Sequence, residues 1–303
     1  MKYFELLTHI TNNTTHMKLI ECPRDAMQGI KEFVPTQLKA DYINLLLKVG
    51  FDTIDFGSFV SPKVTPQMKD TSEVLAKLHL NNTKSKLLAI VASTSGAKIA
   101  IRHEEIRYLG FPFSVSEIFQ RRNTNKSIAE AFATLLDIQT LCMQYNRVLV
   151  VYLSMGFGNN YDEPYSPEIV EAYVEKLDAV GIKIIALSDT IGVSNPENIT
   201  PLFKNLLRRF PHIEFGAHFH SNPNTALEKI AAAYSAGCRR FDVALGGYGG
   251  CPMAKDELTG NIATEILLSY LAQNQIVSNL NFDMLAKAQE LMPEIFNTHL
   301  EMA

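Results

Sequence analysis

The segment Gly216-Ala-His-Phe-His220 lies near the end of an apolar run. Side chains alternate between the two faces of a β-strand, so His218 and His220 are predicted to point the same way. Two imidazoles on one face of a buried strand are suited to binding a metal ion. Potential partner groups lie at or just past the ends of three other apolar runs, in Cys22-Pro-Arg-Asp25, Ile54-Asp-Phe-Gly57 and Gly249-Gly-Cys-Pro252.

Eight short runs of apolar and β-branched residues are typical of β-strands. They alternate with longer amphipathic segments, a pattern that predicts βα units around a parallel sheet. Eight such units in 303 residues predict an α/β fold, a (β/α)8 TIM barrel with its chemistry at the carboxyl ends of the strands. The predicted strands are Lys18–Cys22, Thr53–Gly57, Lys86–Ala92, Glu105–Pro112, Arg147–Leu153, Lys183–Ser188, Glu214–His220 and Arg240–Leu245.

The intervening segments have helix start and stop signals. Ser127 followed by Glu130 predicts a capping box, and three Ser-Pro or Asn-Pro pairs predict capped helix starts. The predicted helices are Thr36–Val49, Ile128–Tyr145, Pro167–Val180, Pro196–Arg209, Pro223–Ala236 and Ile262–Gln273, with a weaker one at Gly96–His103 and an additional C-terminal helix at about Asn281–His299.

Composition points to a globular protein, since 47% of the residues are hydrophobic and 20% are charged. The net charge of −4 and the absence of a basic stripe argue against nucleic acid as a partner. No apolar run has the length of a membrane span. Residues 1–16 are polar and lack the pattern of a signal peptide. We therefore expect a polar tail at 1–16, a single barrel domain at 17–303, a cytoplasmic location and reduced cysteines.

A metal site is one interpretation of the groups at the strand ends. Asp25, His218 and His220 could supply oxygen and nitrogen ligands, and Asn261 could add a carbonyl oxygen. Oxygen and imidazole ligands favour Mg²⁺ or Mn²⁺, whereas structural zinc sites usually use thiolates. The alternative is that both histidines are hydrogen-bonded interior residues.

Other polar residues at the strand ends have both a catalytic and a structural interpretation. Arg24 could neutralise an enolate or a carboxylate, or it could pair structurally with Asp55 or Asp189. Asp189 could be a base, or belong to an ordinary turn. Cys251 lies in a glycine-rich loop and could transfer a proton, or fill a tight turn.

Together these motifs resemble the 3-hydroxy-3-methylglutaryl-CoA lyases, which belong to a superfamily of metal-dependent TIM-barrel lyases and Claisen synthases. The resemblance extends from about Lys18 to Leu268. Arg-Asp and His-x-His mark the wider superfamily, and the Ser-Phe-Val-Ser-Pro and Gly-Gly-Cys-Pro segments narrow it to the lyases. The matching segments are Arg24-Asp25 with Gln28, Ser58-Phe-Val-Ser-Pro62, Ser188-Asp-Thr-Ile-Gly192, His218-x-His220, Gly249-Gly-Cys-Pro252 and Gly260-Asn261.

The resemblance implies a role for each matching residue. It implies a divalent cation, Mg²⁺ or Mn²⁺, held by Asp25, His218, His220 and Asn261. Arg24 would stabilise the enolate, and Cys251 would take part in proton transfer. Asp189 would be a candidate base. Asp55 stands where the family usually has Glu, a residue that supports the arginine. Arg24, Gln28 and Ser58 would contact the substrate.

The reaction implied is a retro-Claisen cleavage of 3-hydroxy-3-methylglutaryl-CoA to acetoacetate and acetyl-CoA. We expect an acyl-CoA substrate, no nucleic-acid or membrane partner, and a homodimer or higher homo-oligomer. Two alternatives stay open. One is a related lyase or aldolase acting on another 3-hydroxyacyl thioester or a hydroxy keto acid, and the other is a non-catalytic barrel that binds acyl-CoA.

Overall fold

The computed structural model of the chain describes residues 17–250 and 259–296. Eight strands form a closed parallel barrel in which each strand pairs with the next and β8 pairs with β1. The predicted TIM barrel is confirmed. The strands are β1 (Lys18–Glu21), β2 (Thr53–Ser58), β3 (Lys86–Ile90), β4 (Ile106–Ser114), β5 (Val148–Ser154), β6 (Ile184–Asp189), β7 (Glu214–Ser221) and β8 (Arg240–Val243).

Helices alternate with the strands, and one further strand follows the barrel. None of the described helices has the length and apolar character needed to cross a bilayer. The elements are α1 (Pro23–Gln28), α2 (Thr36–Val49), α3 (Thr71–Leu75), α4 (Thr94–Ala100), α5 (Glu117–Thr124), α6 (Ile128–Gln144), α7 (Pro167–Ala179), α8 (Pro196–Arg209), α9 (Pro223–Ser235), β9 (Gly260–Asn261), α10 (Thr264–Gln273) and α11 (Phe282–Phe296).

The predicted capping residues form side-chain caps at the starts of four helices. Ser127 and Glu130 form a reciprocal capping box at the start of α6. The side chains of Ser166, Asn195 and Asn222 accept backbone N–H groups in the first turns of α7, α8 and α9. These caps fix where each helix begins.

Two site residues occupy an element that the sequence analysis missed. Arg24 and Asp25 were predicted at a strand end, but they lie in the short helix α1, which starts directly after β1 with Pro23 in its first turn. Proline fits there because a first-turn N–H has no intrahelical acceptor. Helices α3 and α5 and strand β9 were not predicted from the sequence either. The last predicted helix ends at His299, which lies outside the described residues, as does the tail at 1–16.

The barrel interior is apolar on one side and polar on the other. Strands β3, β5 and β6 contribute a separate apolar cluster made of Leu88, Ile90, Val150, Tyr152, Ile184 and Ala186. Strands β7, β8 and β2 contribute His218, Asp242 and Asp55, all largely buried. The opposite strand faces pack against the helices in the main core. The polar half therefore carries the candidate site, at the carboxyl end of the barrel.

Candidate metal centre and active site

Asp25, His218 and His220 come together at the carboxyl end of the barrel. One potential ligand atom from each lies within 4.8 Å of the other two. The two imidazoles come from the same face of β7, with ring centroids 5.4 Å apart, as alternation along a strand predicts. Asp25 reaches them from α1. The three side chains predicted as metal ligands therefore lie together, although Asp25 lies on a helix and not at a strand end.

His220 has one ring nitrogen fixed and the other free. Its Nδ1 lies 2.9 Å from the backbone oxygen of Thr190, which can only accept a hydrogen bond, so Nδ1 carries the proton. The other ring nitrogen, Nε2, faces Asp25, whose Oδ2 is 3.9 Å away. Nε2 is buried and has no hydrogen-bond partner among the described residues. A buried ring nitrogen that lacks a hydrogen-bond partner and lies beside a carboxylate fits a metal ligand.

His218 is oriented by a carboxylate that the sequence analysis overlooked. Its Nδ1 lies 3.2 Å from Oδ2 of Asp242 on β8, whose side chain is fully buried. Burial lowers the pKa of His218, but the hydrogen bond and charge of Asp242, together with the charge of Asp25, outweigh it and raise the pKa. Cys22, His218 and Asp242 form a second cluster of potential ligands. Cys22 and Asp242 do not line the cavity described below, so the Asp25 cluster is the accessible one.

Asn261 reaches the same cluster through β9. This strand pairs antiparallel with the end of β7 and places Asn261 opposite His220. The Asn261 amide donates to Asp25 Oδ2 and to the backbone oxygen of Tyr248, both at 2.8 Å. Gly249 packs close by with a φ of +89°, and a Cβ there would lie 2.7 Å from the Asn261 amide nitrogen. Glycine is therefore required for the loop to approach the site.

Arg24 is held between carboxylates beside the cluster. Its Nε lies 3.0 Å from Asp55 Oδ2, and its Nη2 also donates to that oxygen. Its Nη1 donates to Asp25 Oδ1 at 2.7 Å and to Gln28 Oε1 at 3.0 Å. Gln28 in turn donates to Asp25 Oδ1 at 3.0 Å. The guanidinium is therefore fixed in one orientation.

Burial and charge set the ionisation of this network. Burial favours neutral Arg24, but the nearby carboxylates raise its pKa well above its usual range. Burial also disfavours the Asp25 carboxylate, but Arg24 and the two histidines hold its pKa well below its usual range. Burial raises the pKa of Asp55 to about 6, although the charge and hydrogen bonds of Arg24 lower it. At neutral pH the guanidinium and both carboxylates are charged.

Asp189 is the last residue of β6, at the carboxyl end of the barrel, but it does not line the cavity. Its neighbours Ser188 and Thr190 line the cavity, whereas the Asp189 side chain points the other way and is fully buried. Its oxygens accept hydrogen bonds from Lys229, from Ser194 and from the backbone N–H of Val193. The structure therefore gives Asp189 a role in holding the turn after β6, which corrects the expectation of a base.

A cavity of about 210 Å³ opens onto the cluster. Arg24, Asp25, His218 and His220 lie on its polar wall, together with Gln28 and Ser58 from the predicted substrate contacts. The lining also includes the side chains of Val60, Ile90, Pro112 and Tyr152. Gly250 lines the edge, and Cys251, the next residue, lies outside the described residues. The cavity thus combines charged, polar and apolar lining residues.

The sequence profile of the HMGL-like family matches residues 17–292. The chain belongs to the HMGL-like family. It is 32% identical to hydroxymethylglutaryl-CoA lyase YngG of Bacillus subtilis over 90% of both chains. It is 31% identical to the mitochondrial hydroxymethylglutaryl-CoA lyase of Mus musculus over 93% of this chain and 86% of the relative. The resemblance identified from the sequence motifs is confirmed.

Solved structures of the HMGL-like family share the architecture. An HMG-CoA lyase of Acinetobacter baumannii, solved in complex with coenzyme A and 3-methylmalate, superposes with a TM-score of 0.87 at 30% identity. The match covers 95% of this chain and 93% of that chain. An HMG-CoA lyase of Bacillus subtilis has the same TM-score at 31% identity, with 93% and 94% covered. The fold and nearly its full extent are therefore those of this family.

Proposed function

We propose that the chain is a carbon–carbon lyase that cleaves 3-hydroxy-3-methylglutaryl-CoA to acetoacetate and acetyl-CoA. The observation that carries the proposal is the placement of a fixed guanidinium, Arg24, directly beside three potential metal ligands on one cavity wall. A retro-Claisen cleavage needs both groups, because the substrate must lose a hydroxyl proton and the departing fragment carries enolate charge. Family membership supports the same reaction.

Asp25, His218 and His220 would hold a divalent cation, Mg²⁺ or Mn²⁺, with Asn261 as a fourth ligand. The donor set of one carboxylate, two imidazoles and one amide matches these ions. A bound cation supplies Lewis-acid chemistry that lowers the pKa of a substrate hydroxyl. The free Nε2 of His220 supports this assignment, since it is buried and lacks any other partner among the described residues.

Arg24 would stabilise the enolate of the departing acetyl thioester. Asp55 and Gln28 orient it before substrate binds, so little reorganisation is needed when charge develops. Loss of one such donor costs roughly 3–4 kcal/mol of transition-state stabilisation in a comparable oxyanion site. Gln28 bonds to both Arg24 and Asp25 and therefore orients them. Ser58 lines the cavity and would contact the substrate directly.

Cys251 would take part in the transfer of a proton from the substrate hydroxyl to the enolate carbon, since its neighbour Gly250 lines the cavity. The glycine-rich loop would exclude water while the reaction proceeds. We assign no base to Asp189, because Lys229 and the turn after β6 occupy its carboxylate. Asp55 acts on the reaction through Arg24 and is therefore a positioning residue.

We further propose that the protein works in the cytoplasm, as a homodimer or higher homo-oligomer, in leucine catabolism and ketone-body metabolism. The described cysteines support a reducing compartment, since Cys22, Cys142 and Cys238 are all free and buried.

The direct test is a product assay with purified protein and Mg²⁺ or Mn²⁺, using a panel of hydroxyacyl-CoA thioesters and hydroxy keto acids. We expect acetoacetate and acetyl-CoA from 3-hydroxy-3-methylglutaryl-CoA. Faster cleavage of another compound would assign the chain to a related lyase or aldolase. Binding of acyl-CoA without cleavage of any compound would favour the non-catalytic barrel.

A further inference from the structure

Lys229 of α9 contacts the metal cluster from behind β7. Its side chain is fully buried, and its Nζ donates to Asp189 Oδ2 at 2.8 Å, to the backbone oxygen of Gly192 at 3.1 Å and to that of His220 at 3.2 Å. An ammonium group has three N–H donors, and here each has an acceptor. Lys229 therefore joins the end of β6, the turn after it, and the backbone of one candidate metal ligand.

Asp189 organises the turn that follows β6. Its Oδ1 accepts the Val193 N–H at 2.8 Å, and its Oδ2 accepts the N–H and hydroxyl of Ser194 at 3.0 and 2.5 Å. This turn begins with Thr190, whose backbone oxygen accepts the Nδ1 proton of His220. The carboxylate thus fixes the acceptor that determines the His220 tautomer.

We propose that Lys229 and Asp189 are positioning residues for the metal centre, which together hold His220 at its backbone and at its ring. Lys229 holds the backbone oxygen of His220, and Asp189 holds the turn that binds Nδ1. The combined effect is to keep Nε2 directed at Asp25. This inference rests on the proposed metal site, because the positioning has a function only if Nε2 binds a cation.

The energetics of buried ion pairs support a positioning role. Removing two charges from water costs as much as their attraction returns, so a buried pair by itself is weak evidence for stability. The Lys229–Asp189 pair is almost wholly excluded from solvent, with 1% and 0% of the two side chains exposed. Hydrogen bonds that fix a metal ligand typically contribute 10- to 100-fold in metal affinity. A role toward His220 therefore accounts for the pair better than stability does.

A second buried pair provides a matched control. Lys39 of α2 and Asp70 lie 2.8 Å apart, with 2% and 5% of their side chains exposed. Lys39 also donates to the backbone oxygen of Gln67, and Asp70 accepts from Thr36. Neither residue contacts Asp25, His218 or His220. Loss of this pair should therefore leave metal affinity unchanged.

The experiment compares two double variants that each remove one buried pair, Asp189→Asn/Lys229→Met and Lys39→Met/Asp70→Asn. Binding of Mn²⁺ to metal-free protein is measured by titration calorimetry, after thermal unfolding has shown that each variant is folded at the working temperature. We expect about tenfold weaker binding in the first variant and unchanged binding in the control. Equal affinity in the first variant and wild type, or equal losses in both variants, would overturn the inference.

Two further measurements cover the case in which the first variant does not fold. Ser194→Ala removes one hydrogen bond to Asp189 and leaves both charges paired, and we expect about two- to fivefold weaker Mn²⁺ binding. In metal-free wild type, NMR of the imidazole should show the Nδ1 proton of His220 in a hydrogen bond. An unchanged affinity in Ser194→Ala, or an Nδ1 proton that makes no hydrogen bond, would contradict the inference. If wild type binds no Mn²⁺ at all, the proposed metal site fails instead.

Discussion

The Arg24 guanidinium and the Asp55 carboxylate form a fully buried pair in which Nε and Nη2 of the arginine both donate to the same carboxylate. The pair joins α1 to β2 and places the remaining donor, Nη1, beside Asp25. The shorter side chain of Asp55 therefore reaches the arginine directly, where the resemblance would place a Glu. This contact underlies the first two predictions.

Asp55→Asn should impair catalysis. The neutral Asn side chain lacks the negative charge that strengthens the hydrogen bonds from Nε and Nη2 of Arg24. The guanidinium is therefore held less firmly in its orientation. We expect kcat to fall by about 10²-fold, in the range for loss of one oxyanion donor, with Mn²⁺ affinity little changed. Asp55→Glu should retain more activity than Asp55→Asn. Steady-state kinetics on both variants checks this, and full activity in Asp55→Asn would show that the carboxylate is a bystander.

Arg24→Gln should lower kcat much more than it raises KM. The proposed role of the guanidinium is to stabilise the enolate charge, which develops only in the transition state. Loss of an interaction made only in the transition state lowers kcat. We expect a loss of about 10²- to 10³-fold, with the variant folded and able to bind Mn²⁺. If KM rose while kcat stayed the same, Arg24 would be an anchor for the bound substrate.

Asp242→Asn should weaken the metal site through His218. The carboxylate accepts from Nδ1, which leaves Nε2 for the cation, whereas an amide can also donate and so permits the other tautomer. We expect about tenfold weaker Mn²⁺ binding, with much of the activity restored at high Mn²⁺ concentration. Activity measured against Mn²⁺ concentration separates this effect from a direct catalytic one. A lower maximum rate with an unchanged Mn²⁺ midpoint would contradict it.

The raised pKa of the buried Glu21 side chain should make the free energy of unfolding decrease as the pH rises. Burial raises the pKa of Glu21 from 4.5 to about 8, although it accepts hydrogen bonds from Thr264 and the Leu245 N–H. Between these values the folded protein keeps a proton that the unfolded chain releases, so the stabilisation present below pH 4.5 is lost as the pH rises towards 8. The slope is up to about 1.4 kcal/mol per pH unit.

Comparison with Glu21→Gln isolates this effect, because the other titrating groups are common to both proteins. Urea unfolding of both proteins at about pH 5 and about pH 8 gives the difference in free energy of unfolding at each pH. Wild type should lose stability relative to Glu21→Gln by a few kcal/mol over this interval. A difference that does not depend on pH would show that Glu21 has an ordinary pKa.

The barrel and the two histidines could be predicted because both depend on local periodicity. Alternation along Glu214–Ser221 puts His218 and His220 on one face whatever surrounds the strand. The same rule applied to Arg240–Val243 would have found Asp242, since charged residues at alternate positions of a short buried strand must face other polar groups.

Other parts of the site depend on contacts that no local pattern encodes. The six-residue helix that carries Arg24 and Asp25 is too short to have a clear helical period. Two-residue β9 exists only through its pairing with β7, and the role of Lys229 depends on how α9 packs against β6 and β7. Asp189 lies at a strand end as predicted, but its side chain contacts Lys229 and does not line the cavity. The direction of that side chain depends on packing that the local sequence does not determine.

The most direct test of the account is titration of metal-free protein with Mn²⁺ while acetyl-CoA release from 3-hydroxy-3-methylglutaryl-CoA is followed, with His220→Ala as the comparison. Cleavage should be absent after chelation, rise with added Mn²⁺ and saturate near one ion per chain. His220→Ala should need much more Mn²⁺, because a ligand of the cation is lost. Full cleavage by protein exhaustively treated with EDTA would contradict the account.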